Sequence, residues 1–113
     1  MIDHVTPTNL AAWLQAGQAE GAPIVLDVRE PWELQTASVT PEGFGLVAIP
    51  MGVLVQRLQE LDPATPVACL CHHGARSLRV AMFLEQSGFA QVANISGGID
   101  AWSRELDATV PRY

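Results

Sequence analysis

Cys71, His72, His73, Gly74, Ala75, Arg76 and Ser77 stand in an unbroken row. A thiol, two imidazoles, a guanidinium and a hydroxyl so close together could serve as a metal site, a redox pair, a phosphate cradle or a sulfur nucleophile. Metal binding with Cys69 fits poorly. Residues i and i+2 of a strand share a face about 6.6 Å apart, whereas two thiolates on one tetrahedral zinc, at about 2.3 Å each, must approach within about 4 Å. No second ligand pair at the usual spacing exists elsewhere in the chain. A Cys69–Cys71 disulfide strains the same geometry, so Cys69 reads as a small buried hydrophobe.

Cys71 reads differently. A thiol becomes nucleophilic when a helix N-terminus or nearby cations lower its pKa. The loop after Cys71 runs into an apolar stretch starting near Arg76 that has the look of a helix, so free backbone amides and the positive helix end would face the sulfur. Gly74 allows a turn in which those amides converge, and Arg76 adds a permanent cation with a planar fork of donors. Strand, loop and helix would form an anion cradle with sulfur at its floor.

The surrounding elements are those such a cradle requires. Leu10, Trp13 and Leu14 follow a Thr-Pro-Thr start at helical spacing, with Gly17 and Gly21 closing that helix. Short apolar runs at 23–28, 46–50, 66–71 and 91–95 read as buried parallel strands. Helices are expected over a turn or so from Arg29, over 53–62, over 76–88 and over 97–106, while 35–45 reads as a loop. Strand and helix in regular alternation predict an α/β domain with a parallel sheet. Ligands in such sheets bind beyond the carboxyl ends of the strands, where Cys71 and Asp27 both fall. Trp13, Trp32 and Trp102 are expected as core or packing residues, Glu30 and Glu33 as surface or helix-end charges, and Gly97 and Gly98 in a strand-to-helix turn.

Composition narrows the classes further. The 113 residues suit one domain, with a core that needs neither disulfide nor metal. The net charge of -6 argues against nucleic acid and anionic membrane as partners. All six basic residues are arginines, so Schiff-base chemistry and a P-loop lysine are excluded. No secretory signal is visible in residues 1–13, and no apolar run approaches the roughly 20 residues of a membrane span. Two cysteines point to free thiols in a reducing compartment, and the expectation is a cytoplasmic protein.

The loop 71–77 resembles the active-site loop of the rhodanese family of sulfurtransferases. The segments LDVREPWE (26–33), IPMG (49–52) and ISGGIDAW (95–102) stand where that family has similar pieces. The resemblance implies a five-stranded parallel sheet with helices on both faces, and a reaction in two halves that calls for no cofactor. Cys71 would take the sulfane sulfur of a donor such as thiosulfate, and a thiol or cyanide acceptor would then remove it from the Cys71 persulfide. The donor anion and transferred sulfur would be held by the loop from His72 through His73, Gly74, Ala75, Arg76 and Ser77, with Asp27 and Arg29 supporting neighbouring loops. His72 and His73 could add positive charge at the mouth, given a reference pKa of about 6.5. A persulfide relay or interaction module serving a partner protein is the rival reading. Phosphatase or arsenate reductase chemistry is disfavoured, because related phosphatases use a loop one residue longer than the C-x4-R here. The chain departs from the family pattern over 34–48, where a Gly-His-Ile-Pro-Gly-Ala-like segment is usual and only Ala37, Ser38 and Val39 echo it.

Overall fold

The computed structural model describes residues 2–17 and 22–113. Five short strands form one wholly parallel sheet: β1 (Asp3–Val5), β2 (Ile24–Asp27), β3 (Gly45–Ala48), β4 (Val67–Leu70) and β5 (Val92–Ile95), in the order β1-β5-β4-β2-β3. The helices are α1 (Leu10–Gly17), α2 (Pro31–Thr36), α3 (Ala75–Gln86) and α4 (Gly98–Glu105). Gly21, expected to help close α1, lies outside the described residues. β1 has no counterpart among the strands read from local pattern; three residues of mixed polarity are too short to show alternation.

Alternation along the strands divides the core in two. Val25, Ala68, Leu70, Ala93 and Ile95 face one layer with Leu10 and Leu14 of α1 and Ile99 and Trp102 of α4. Leu26, Val67, Cys69 and Val92 face the other, against Val80, Ala81 and Leu84 of α3. Helices therefore cover both faces, and each central strand is apolar on both sides, as its continuous hydrophobic run requires.

One expectation fails, for a local reason. Residues 53–62 form no α-helix: 3-10 turns at Met51–Val53 and Leu58–Glu60 flank a non-helical stretch. Its bonds run mainly three residues back, from Val53 to Pro50, Leu54 to Met51, Glu60 to Arg57 and Leu61 to Leu58. β-Branched Val53 and Val55 favour helix weakly, and the segment is secured by buried Leu54 and Leu61 with Leu58 packed beside them. Trp32, expected in the core or packed, takes only the second place, 61% exposed and set against one ring. α2 turns Glu33 inward, which sends the neighbouring Trp32 outward, edge-on to Tyr113 at 6.1 Å.

The chain leaves β2 toward β3 on one side and returns to β4, from which it passes to β5 on the other. The carboxyl ends of β2 and β4 are thus a switch point, where α/β sheets bind ligands. Asp27 pairs with Leu70 in this ladder, and Val28 N–H donates to the Leu70 carbonyl, so Cys71 emerges beside the Asp27-to-Arg29 turn.

Candidate active site

Cys71 follows the last residue of β4 and is 1% exposed. Its Sγ lies 3.0 Å from the Gly74 N–H and 3.3 Å from the Ser77 hydroxyl. Gly74 caps α3 at φ 107°, a left-handed conformation that a side chain would strain. That turn aims its amide back at the sulfur while α3 starts at once, so the helix's positive end also faces Cys71. Cys69, by contrast, is wholly buried in β4, and burial, with Cys71 nearby, pushes its thiol up to about 12. It stays protonated and inert.

α4 supports the loop from behind. The N–H groups of Ile99 and Asp100 donate to the carbonyls of Cys71 and His72 at 2.8 and 3.1 Å. This close approach is why ISGGIDAW carries glycine at its fourth position: a Cβ on Gly98 would collide with both carbonyl groups. Gly97 and Gly98 make the expected turn and also seat the helix on the loop.

The ion pairs hold one surprise. Arg29, wholly buried, grips Asp27 through Nε at 2.9 Å and Nη2 at 2.8 Å, and donates onward to the Ala37 carbonyl at 2.8 Å. It thereby ties the atypical 34–48 segment to the end of β2. Arg76 does not point its fork into the cradle. Nη1 and Nη2 grip Glu33 at 2.8 and 2.7 Å. Of the two expected places Glu33 takes the helix end, in the first turn of α2 with its carboxylate accepting from the Glu30 N–H, and it is 2% exposed rather than at the surface. The Arg76 guanidinium, helped by the Glu30 N–H and the Tyr113 hydroxyl, holds the Glu33 carboxyl down at about 2. The charge of Arg76 is thus matched by Glu33 within the protein rather than turned toward Cys71.

The rim is aromatic. His72 stacks between His73, at 3.9 Å between centroids, and Tyr113, at 3.8 Å and 8° from parallel. The Tyr113 hydroxyl accepts from Arg29 Nη1 at 3.0 Å and donates to Glu33 Oε1 at 2.8 Å. Ala75 is exposed on the first turn of α3, and Ser77 is buried beneath it. Asn94 of β5, also buried, donates to the Gly74 carbonyl at 3.1 Å and lies 2.5 Å from the Ser77 hydroxyl. The structure thus brings 71–77, Asp27 and Arg29 into one neighbourhood and adds three residues that the sequence did not single out for it. Glu33 carried no local signal of its role, because its partner Arg76 lies 43 residues away. Asn94 carried the signal of a lone polar side chain inside an apolar strand, and Tyr113 carried none. Among the described residues no three His, Cys, Asp or Glu side chains cluster as metal ligands would, and no helix is long and apolar enough to cross a membrane.

Comparison with known proteins agrees with this geometry. A family profile described as a rhodanese-like domain matches residues 10–105. A rhodanese-like/PpiC domain-containing chloroplastic protein of Arabidopsis thaliana is 37% identical over 91 residues, covering 79% of this chain and 30% of that protein. The adenylyltransferase and sulfurtransferase MOCS3-1 of Zea mays is 31% identical, covering 83% of this chain and 21% of its own. The chain thus spans less than a third of the length of either curated relative. Among solved structures, a rhodanese-related protein from Thermoplasma volcanium superposes with a TM-score of 0.75 at 30% identity, over 92% of this chain and 93% of that one.

Proposed function

The chain belongs to the rhodanese-like domain family, and on that footing we propose that its 113 residues act as one sulfurtransferase domain with Cys71 as nucleophile and sulfur carrier. The observation that carries this reading is a thiol at the floor of a loop whose Gly74 amide already bonds the sulfur, beneath the N-terminus of α3. In the first half-reaction the Cys71 thiolate attacks the sulfane sulfur of thiosulfate. The S–S bond of the donor breaks, sulfite leaves with the electron pair, and a Cys71 persulfide remains. In the second, cyanide or a thiolate attacks the terminal sulfur and Cys71 departs as thiolate. The loop amides from His72 to Ser77 stabilise the terminal sulfur as oxyanion-hole donors stabilise oxygen.

Phosphatase or arsenate reductase chemistry finds no support in this arrangement. It needs an arginine fork on the oxyanion, and that of Arg76 is engaged by Glu33. Two free thiols suit a cytoplasmic setting. Asp27 and Arg29 hold the neighbouring loops, and His72 and His73 line the mouth. If their imidazoles help attract the donor, replacing both by alanine raises the KM for thiosulfate; an unchanged KM removes them from the mechanism.

A persulfide relay to a partner protein draws on the curated relatives, in which the matched region is a fraction of a longer chain. Steady-state kinetics decide. An enzyme gives the parallel double-reciprocal lines of a ping-pong reaction with thiosulfate and cyanide. A relay loads sulfur once yet turns over thiosulfate poorly, and intersecting lines would reject the covalent two-step scheme.

A further inference from the structure

Ser77 has one hydroxyl proton and three acceptors around it. Asn94 Oδ1 lies at 2.5 Å, the Gly74 carbonyl at 3.2 Å and Cys71 Sγ at 3.3 Å. The Asn94 amide is oriented by its other contact, since Nδ2 donates to the Gly74 carbonyl at 3.1 Å. A 2.5 Å separation also suits O–H···O and is short for N–H···O, so the atom facing Ser77 is Oδ1. The register explains the placement. Asn94 pairs with Cys69 across the β4–β5 ladder, which puts its side chain on the α3 face, two residues short of Cys71.

We infer that Asn94 is a positioning residue that holds the Ser77 proton away from the Cys71 sulfur and so keeps the nucleophile from being over-stabilised. The inference rests on the reading of Cys71 as nucleophile. With its proton on Asn94, the hydroxyl presents lone pairs to Cys71 and accepts from the S–H, which favours the thiol over the thiolate. Turning toward a thiolate would strand Oδ1 of an asparagine only 5% exposed, and a buried acceptor without a donor is costly. Because nucleophilicity falls as a thiol's pKa falls, the most effective attacking thiol has a pKa near ambient pH. The Gly74 N–H already faces the sulfur as a donor at 3.0 Å, and Asn94, by holding the Ser77 proton, keeps the hydroxyl from adding a second.

The test is the titration of Cys71 followed by thiolate ultraviolet absorbance, with Cys71→Ala as blank and no sulfur donor present. Cys69, pushed up to about 12, stays silent over the useful range. The other ionisable groups around the loop are unchanged between variants: His72 and His73 on the loop, the Arg76–Glu33 pair between α3 and α2, Asp27 and Arg29 after β2, Asp100 on α4, and Tyr113. In Asn94→Ala the hydroxyl is released, and the charged thiolate outcompetes the neutral Gly74 carbonyl at nearly equal distance. The Cys71 midpoint should fall by about one pH unit. In Ser77→Ala it should fall slightly or stay, and adding Asn94→Ala to that background should move it no further. A rise of about one unit in Ser77→Ala would mean the hydroxyl donates to sulfur and would overturn the inference, as would an Asn94→Ala midpoint equal to or above wild type. Should Asn94→Ala fail to fold, the sign of the Ser77→Ala shift decides alone. The readout needs no persulfide, so it separates this inference from the sulfur-transfer reading itself.

Discussion

Replacing Glu33 with glutamine tests the physical account of the site most sharply. The carboxylate receives both nitrogens of the Arg76 fork, the Tyr113 hydroxyl and the Glu30 amide. Its pKa is lowered from 4.5 to about 2, chiefly by Arg76. A folded-state pKa below the unfolded one contributes stability that is fully present above about pH 4.5 and lost as pH falls through about 2. At 1.36 kcal/mol per unit, the shift sets an upper limit of about 3 kcal/mol at pH 7, falling to about 1 kcal/mol at pH 3. The measured figure should be nearer 2 kcal/mol at pH 7, roughly two thirds of that limit, because Arg76 is 33% exposed and partly screened by water. Urea denaturation of wild type and Glu33→Gln at the two pH values reads both numbers. The stability difference should shrink on acidification. A difference below about 0.5 kcal/mol at pH 7, or one that does not change with pH, would show that the Arg76–Glu33 contact does not organise the site.

Three further expectations follow from the same contacts. Gly98→Ala forces a side chain against the carbonyls of Cys71 and His72 at φ 58°, so it should cost at least about 2 kcal/mol in thermal or chemical denaturation and misplace the loop. Tyr113→Phe removes the hydroxyl that joins Arg29 to Glu33; about 1–3 kcal/mol should be lost in urea denaturation, with the ring stack on His72 preserved. Cys69→Ala should leave sulfur loading intact, since that thiol is buried and protonated, and loss of loading in this variant alone would make Cys69 part of the chemistry.

The parts of the fold legible in the sequence were those with period or punctuation. Apolar runs such as 66–71 mark strands because a sheet covered on both faces needs them apolar throughout. Gly74 marked the turn below α3 because φ 107° suits glycine. Residues 53–62 misled because Leu54, Leu58 and Leu61 keep helical spacing although the backbone closes mainly into 3-10 turns; the spacing records which residues are buried, not which hydrogen bonds form. Cys71 was visible through its local neighbours. Its partners were less so: Glu33 lies far from Arg76 in sequence, Asn94 belongs to another strand, and Tyr113 arrives from 80 residues beyond Glu33. Arg76 shows the cost of reading a cation without its partner, since the fork assigned to a donor anion grips a carboxylate instead.

The central claim is a covalent one, and the direct measurement is the intact mass of the protein after thiosulfate and again after cyanide, with Cys71→Ala in parallel. The account predicts a gain of about 32 Da, one sulfur atom, that cyanide removes and the variant never shows. A wild-type protein that stays unloaded with thiosulfate, mercaptopyruvate and a persulfide donor alike would contradict it.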